Sequence, residues 1–329
     1  MVVSFGRSST TSCYMLVMLS DSGLHDNTTN HITSFGSLEA SSTYSAPVSA
    51  PFYRPPEIHE VVYMFVDLVY ILIICSNSTI VYLIWFHQSL HEPMYIFIAA
   101  LLMNSLLFST NIYPKLLIDF LSEKQTISYS ACLFQCFLYY SLNGSEFLLL
   151  AAMSYDRYVS VYKPLQYHTI MKKETVRIFL GVAWFVPACQ IAVPVALNVN
   201  TKLCNFTLKG IFCNNSIYKL HCVSSIGLSV YGVMVLLNVT LLPVLFIIFT
   251  YSKIFIVTYH SGREERMKAA QTCIPHLLVL ISFSCFITYD VIIVKLESEF
   301  PKTIRLIMTL QSIFYHPLLN PIIYGLKMK

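Results

Sequence analysis

Long apolar runs organise this chain. Residues 68–91, 93–114, 125–145, 178–201, 220–252, 269–289 and 306–326 each proceed without an Asp, Glu, Lys or Arg. Crossing about 30 Å of hydrocarbon takes roughly 18 to 20 helical residues, so all seven runs are long enough. Hydrocarbon offers backbone N–H and C=O groups no partner, which makes helices rather than strands the expected form of runs this apolar. Periodicity inside the runs decides little, because a helix surrounded by lipid and protein is apolar on every side. The predicted fold class is an all-α membrane protein, a seven-transmembrane helix bundle.

Polar punctuation places the connections. Short loops fall at 87–92 and 121–130, and a third at 162–177 carries Lys163, Lys172, Lys173 and Arg177. A longer segment at 200–222 holds three cysteines, and the last two loops lie at 259–268 and 297–302. The second half does not repeat the first, which weakens a transporter built from duplicated halves. Residues 1–59 are rich in Ser, Thr and Pro and too poor in apolar surface to fold alone. The apolar patch at 14–19 is short for a signal-peptide core. The expected organisation is an extracellular tail over 1–59, a membrane domain over 60–326 and a short cytoplasmic C-terminus over 327–329.

Composition then narrows the function. Only 12% of the 329 residues are charged, against about 25% in a typical soluble domain. A soluble enzyme of this size would lack the polar surface to coat it. The net charge of +4 is too small and too dispersed for a nucleic-acid partner. Basic residues barely orient the bundle. With the 162–177 loop inside, Arg157, Lys163, Lys172, Lys173, Arg177, Lys253, Arg263, Arg266, Lys268, Lys327 and Lys329 make 11 of the 21.

Cysteines say more about orientation. Cys132 opens the third span, while Cys204, Cys213 and Cys222 share the loop after the fourth, so all four lie on one side. Disulfides persist in extracellular settings, which makes that side the outer one. Four cysteines allow three connectivities, and the residues alone do not choose among them. Glycosylation sequons at Asn27, Asn205 and Asn214 fall on the same side. The same pattern at Asn77, Asn143 and Asn238 lies within spans, out of the transferase's reach.

Short motifs stand at the ends of particular spans. Met153-Ser154-Tyr155-Asp156-Arg157-Tyr158 closes the third and is followed by Lys163-Pro164-Leu165-Gln166-Tyr167. The seventh carries Pro317-Leu318-Leu319-Asn320-Pro321-Ile322-Ile323-Tyr324. His91-Glu92-Pro93-Met94-Tyr95 enters the second, and Lys268-Ala269, Thr272-Cys273 and His276 stand at the foot of the sixth. From about residue 57 onward the chain resembles the rhodopsin-like G-protein-coupled receptors and, within them, the olfactory (odorant) receptor family.

The resemblance implies a receptor rather than an enzyme, with no cofactor. A small-molecule odorant would bind within the bundle, and a heterotrimeric G protein of the stimulatory olfactory type, raising cyclic AMP, would be activated at the inner face. The expected location is the plasma membrane, multi-pass, in the cilia of olfactory sensory neurons, with the N-terminus outside. The implied activation switch comprises Asp156, Arg157, Tyr158, Tyr251, Lys268, His276, Asn320, Pro321 and Tyr324. An Arg beside an Asp can be neutralised locally and then released when helices shift, which makes a two-state latch. In the active state Arg157 would reach Tyr251 and the G protein. Pro321 removes one helical hydrogen bond, Asn320 can satisfy the freed groups, and a hinge results. Alongside the resemblance, the disulfides are expected as Cys132–Cys213 and Cys204–Cys222.

Tyr140, Asn143, Gly144 and Phe147 share a face of span three, and in this family that face looks into the bundle. The ligand-facing candidates opposite are Val235 and Val239 on span five, Thr288, Val291 and Lys295 on span six, and Ile313 on span seven. Lys295 is placed to attract an anionic odorant. Glu146 is an acid inside the membrane, where acids are costly. Many relatives pair it with an Asp in span two around a sodium ion, but comparison from Pro93 places Ser105 there, beside Asn104, so no metal is expected. Asp67 and Asp290 lie nearer the outer ends and read as solvated. Two further departures are Phe283-Ser284-Cys285, where the family has Phe-Tyr-Gly, and Lys327-Met328-Lys329, which leaves almost nothing of the usual closing amphipathic helix.

A retinal protein needs a lysine midway along span seven, and 306–326 has none. An intramembrane hydrolase would want clustered His, Asp or Glu, yet His276 and His316 have no acidic neighbours at ligand spacing. A non-olfactory small-molecule receptor of the same class is the nearer alternative, and a transporter or channel the one of a different class.

Overall fold

The computed structural model describes residues 47–49, 59–122, 124–208, 210–223, 225–259, 273–274, 276–285 and 302–325. Helices occupy all seven predicted places: α1 (His59–Phe86), α2 (Pro93–Leu121), α3 (Tyr129–Tyr162), α4 (Lys173–Asn198), α5 (Ile226–Tyr259), α6, described over His276–Cys285, and α7 (Lys302–Gly325). The protein is an all-α, seven-helix membrane bundle. Val62–Phe86 within α1, together with α2, α4 and α5, are each long and apolar enough to cross a membrane by length and composition.

Burial explains why α3 differs. Along α1, Val66, Val69, Ile73, Asn77 and Ile84 turn inward at spacings of three, four and seven residues, while Met64, Phe65, Leu68, Ile71, Leu72 and Trp85 remain exposed. One side meets the bundle and the other presents hydrocarbon to lipid. α3 instead buries Gln135, Ser141, Asn143, Ser145, Glu146, Ser154 and Asp156 among its neighbours. A helix in the middle of a bundle can carry polar groups because other helices, not lipid, satisfy them.

The helices also outrun the charge-free stretches. α3 continues from Ser145 through Glu146, Asp156 and Arg157 to Tyr162, and α2 runs past Pro114 to Leu121, taking in the ion pair Lys115–Asp119. Charged side chains near helix ends reach water or pair, so the absence of charge marks the hydrocarbon core of a span rather than its termini.

Prolines inside the helices leave carbonyls without their usual donor, and two of these are met by other helices. Pro194 frees the carbonyl of Gln190, which accepts from Tyr231 Oη of α5 at 3.0 Å. Pro321 frees the carbonyl of Pro317, which accepts from Asn77 Nδ2 of α1 at 3.0 Å. The expectation that Asn320 would satisfy this group is corrected: Asn320 turns instead toward α2 and α3. In α5 a π-helical turn, Leu237–Leu241, precedes Pro243.

The cysteine-rich end is a compact cap. Cys132–Cys213 ties the start of α3 to the long loop, and Cys204–Cys222 closes a smaller ring within it. Gln135 reinforces the staple: its Nε2 donates to Asn111 O on α2 at 2.9 Å, and its Oε1 accepts from Cys213 N at 2.9 Å. The tail is not wholly separate from the fold. β1 (Pro47–Ser49) pairs antiparallel with β2 (Thr126–Ser128), Ser49 exchanges backbone bonds with Phe206 and Leu208, and Val48 is fully buried beside Tyr129, Cys132 and Leu208. A segment with too little apolar surface to fold alone thus acquires structure on an edge that the loop provides.

Candidate functional site

Midway along the bundle, four helices converge on Glu146, which is 2% exposed. Asn104 Nδ2 of α2 donates to its Oε2 at 2.9 Å, and Asn320 Nδ2 of α7 donates to Oε1 at 3.3 Å and to Ser105 Oγ at 2.9 Å. His316 Nε2, one turn before Asn320 on α7, stands 3.0 Å from Oε1, close enough for an ion pair though not aligned as a hydrogen bond. The Phe283 ring of α6 covers the imidazole, with centroids 4.5 Å apart. His316 therefore does have an acidic neighbour, contrary to the sequence reading. The two residues lie on different helices, so no local spacing could reveal the pair. The visible signal was the i, i+4 relation of His316 to Asn320, which puts both on one face.

These residues do not fit a sodium ion. A hard cation wants several oxygen ligands, but Ser105 stands where a second carboxylate would be needed. Both oxygens of Glu146 already receive amide N–H groups, and the imidazole occupies the remaining approach.

Toward the end of α3 opposite the cap lies the latch. Asp156, fully buried, accepts from Arg157 Nη2 at 2.8 Å and from Tyr167 Oη at 2.8 Å. Tyr167 stands on the one-turn helix Tyr167–Ile170 that follows the Pro164–Gln166 turn. Burial, and then the Asp156 charge beside it, push the Tyr167 hydroxyl well above its ordinary range, so it stays protonated and donating. Charge-assisted bonds of this kind contribute about 1.5–3 kcal/mol each. Among the described residues, Arg157 Nε and Tyr251 Oη are both buried without a hydrogen-bond partner. Tyr324 Oη is 3.4 Å from His276 Nδ1, joining α7 to α6, and Tyr158 stacks on Tyr162 at 5.2 Å. Lys268 lies outside the described residues. Tyr167 falls in a motif the sequence singled out, but its role as a third member of the latch depends on the loop folding back.

The expected ligand-facing set divides. Asn143 and Val235 are buried, and Phe147 packs against Phe283 with tilted rings whose centroids are 4.7 Å apart. Gly144 is no pocket wall: a Cβ there would overlap Val239 Cγ1 and approach Pro187 Cβ of α4 at 2.8 Å, so Gly144 and Val239 form a close contact of three helices. Tyr140 Oη accepts from Asn215 N of the cap at 3.0 Å. Ile313 lies in a cluster with Val66, Phe108, Tyr139, Leu142 and Phe314 that α1, α2, α3 and α7 share, with Tyr140 packed against it. Thr288, Val291 and Lys295 lie outside the described residues.

In the cap, Tyr129 Oη donates to Asn198 O at 2.8 Å, so His221 Nε2, 2.9 Å from the same hydroxyl, must donate to it. Burial holds the His221 pKa below its ordinary value. Asn205 is exposed, with Oδ1 accepting from Thr207 N. Asn214 is buried, and its Oδ1 accepts from Ser216 N to cap the Asn215–Leu220 turn. A bulky glycan has no room there, which removes Asn214 from the expected glycosylation sites. Asn27 lies outside the described residues.

A seven-helix bundle with a polar centre, an Asp–Arg latch at one end and a disulfide-stapled cap at the other defines a rhodopsin-like membrane receptor. The profile of the olfactory receptor family matches residues 66–329, and the chain belongs to that family, whose members are not enzymes. It is 29% identical to olfactory receptor 4B13 of Mus musculus, over 84% of this chain and 90% of the relative. It is 31% identical to human olfactory receptor 13C9 over 83% and 88% of the two chains, and 33% identical to human olfactory receptor 51E1 over 79% and 82%.

Proposed function

We propose that this protein is an odorant receptor that binds a small molecule within the bundle and activates a stimulatory olfactory G protein, raising cyclic AMP. Its N-terminus and cap face outward, it resides in the plasma membrane of olfactory sensory cilia, and Asn27 and Asn205 carry glycans. Asn143, Phe147 and Val235, with Thr288, Val291 and Lys295, are the ligand-facing set.

The observation that carries the reading is the latch. Arg157 is held by a carboxylate that Tyr167 also engages, while the buried Tyr251 hydroxyl has no partner among the described residues. Buried polar groups strongly prefer a partner, so Tyr251 and Arg157 Nε, unsatisfied among the described residues, support a resting state with a second arrangement in reserve. Ligand shifts the population toward the conformer in which Arg157 leaves Asp156 for Tyr251 and the G protein.

The test is expression of the full chain with a cyclic AMP reporter, screened against amino acids, sulfated amphiphiles, nucleotides and volatile neutral compounds. Arg157→Ala is expected to abolish the response of a receptor that still reaches the surface. A response that survives Arg157→Ala intact overturns the latch. Lys295→Ala is expected to abolish responses to carboxylate or sulfate ligands and spare neutral ones, and unchanged dose–response curves for anionic ligands would refute that role.

A further inference from the structure

A lone carboxylate in hydrocarbon is strongly disfavoured unless a positive charge or a proton compensates it. Glu146 is such a group, and a metal ion fits poorly for the reasons above. What does stand against it is His316 Nε2, at 3.0 Å, on a side chain 5% exposed. We propose that His316 is the resident counter-cation of Glu146: the site binds a proton, held on the imidazole, in the place a metal cation would otherwise fill.

The microstate follows from the donors. Asn104 and Asn320 each direct an amide N–H at a carboxylate oxygen, so both oxygens act as acceptors. With the carboxylate ionised, the proton that makes the pair neutral sits on the ring. The Phe283 face against the imidazole, at 4.5 Å between centroids, is a further stabilising surface for a cation.

No other charge faces the pair from the surrounding described residues. α1 contributes Asn77, α2 Asn104 and Ser105, α6 Phe283 and α7 Asn320. Asp67 on α1, Lys115 with Asp119 on α2, and Asp156 with Arg157 on α3 each lie ten or more residues along their helices, about 15 Å at 1.5 Å per residue. The titratable groups nearer in sequence include Tyr113 on α2, Tyr139 on α3, His276 and Cys285 on α6, and Tyr315 and Tyr324 on α7, and His276 and Tyr324 face each other. The pair joins α3 to α7 one turn before the Asn320–Pro321 hinge, so the proton is also a fastener of the resting bundle.

The test uses the full chain in lipid nanodiscs, with ring-labelled histidine and carboxyl-labelled glutamate read by nuclear magnetic resonance. A ring-to-carboxyl dipolar contact at about 3 Å assigns His316 in the wild type, so assignment does not depend on a variant folding. The expected result is an imidazolium ring at neutral pH, replaced by a neutral ring in Glu146→Gln. A neutral His316 ring in the wild type overturns the proposal. Thermal unfolding in sodium chloride and in choline chloride of equal ionic strength gives a second reading. No difference in midpoint is expected, and a sodium-specific rise that Glu146→Gln abolishes overturns the proposal in favour of a metal site.

Discussion

Gly144 shows how much one missing side chain can decide. Its place on α3 is filled by Val239 of α5 and Pro187 of α4, which come closer than any Cβ would allow. Small residues at such crossings let helices approach in a membrane, where no hydrophobic force between helices does so. Gly144→Val is expected to destabilise the bundle by about 1–3 kcal/mol, the usual effect of overpacking, and to lower the thermal midpoint and surface expression. Val239→Ala opens space beside the new side chain, so the double variant should recover part of the loss. A Gly144→Val receptor as stable as wild type would contradict the close contact.

At the scale of the element, α7 depends on its neighbours for its own backbone. Pro321 leaves the Pro317 carbonyl without a helical donor, and Asn77 Nδ2 of α1 supplies one. An unsatisfied buried acceptor costs about 1–3 kcal/mol. Asn77→Ala should lower the midpoint of thermal unfolding by an amount of that order. Asn77→Leu should not restore it, because a side chain of similar size offers no N–H. Equal stability of Asn77→Leu and wild type would show that the bond is not what matters.

The elements themselves were legible in the sequence. A charge-free run long enough to cross a bilayer identified each helix, since backbone in hydrocarbon has few other options. Ends were less legible, as α2 and α3 show by continuing through Lys115, Asp119, Asp156 and Arg157. The partner of a proline-freed carbonyl was not legible at all. Asn320 was the near candidate in sequence, and a residue 240 positions away took the role.

Across the whole molecule, the cap couples distant segments and carries a pH dependence. An unfolded histidine titrates near about 6.5, and burial lowers the folded value for His221. As pH falls past about 6.5 the unfolded chain takes up a proton that the folded cap resists. The contribution is therefore complete above that value and lost on acidification. The midpoint of thermal unfolding should fall between about pH 7 and about pH 5, and His221→Gln should flatten that fall. Parallel curves for wild type and variant would dismiss His221 as the cause.

The sequence by itself determined the class of the protein, its seven spans, the latch pair Asp156–Arg157 and the side on which the cysteines gather. Each of these follows from local rules: the length of apolar runs, adjacency along one helix, and the alternation of loops across a membrane. Tertiary structure decided the rest. It chose one of three disulfide connectivities, brought Tyr167 to Asp156 and His316 to Glu146, closed Gly144 against Val239, buried Asn214 and recruited Val48 of the tail into the cap. The physical reason is that local pattern specifies which groups must be satisfied, whereas the satisfying partner is set by which helices meet. Those meetings join residues as far apart as 104 and 146, or 146 and 316, whose relation no local spacing records.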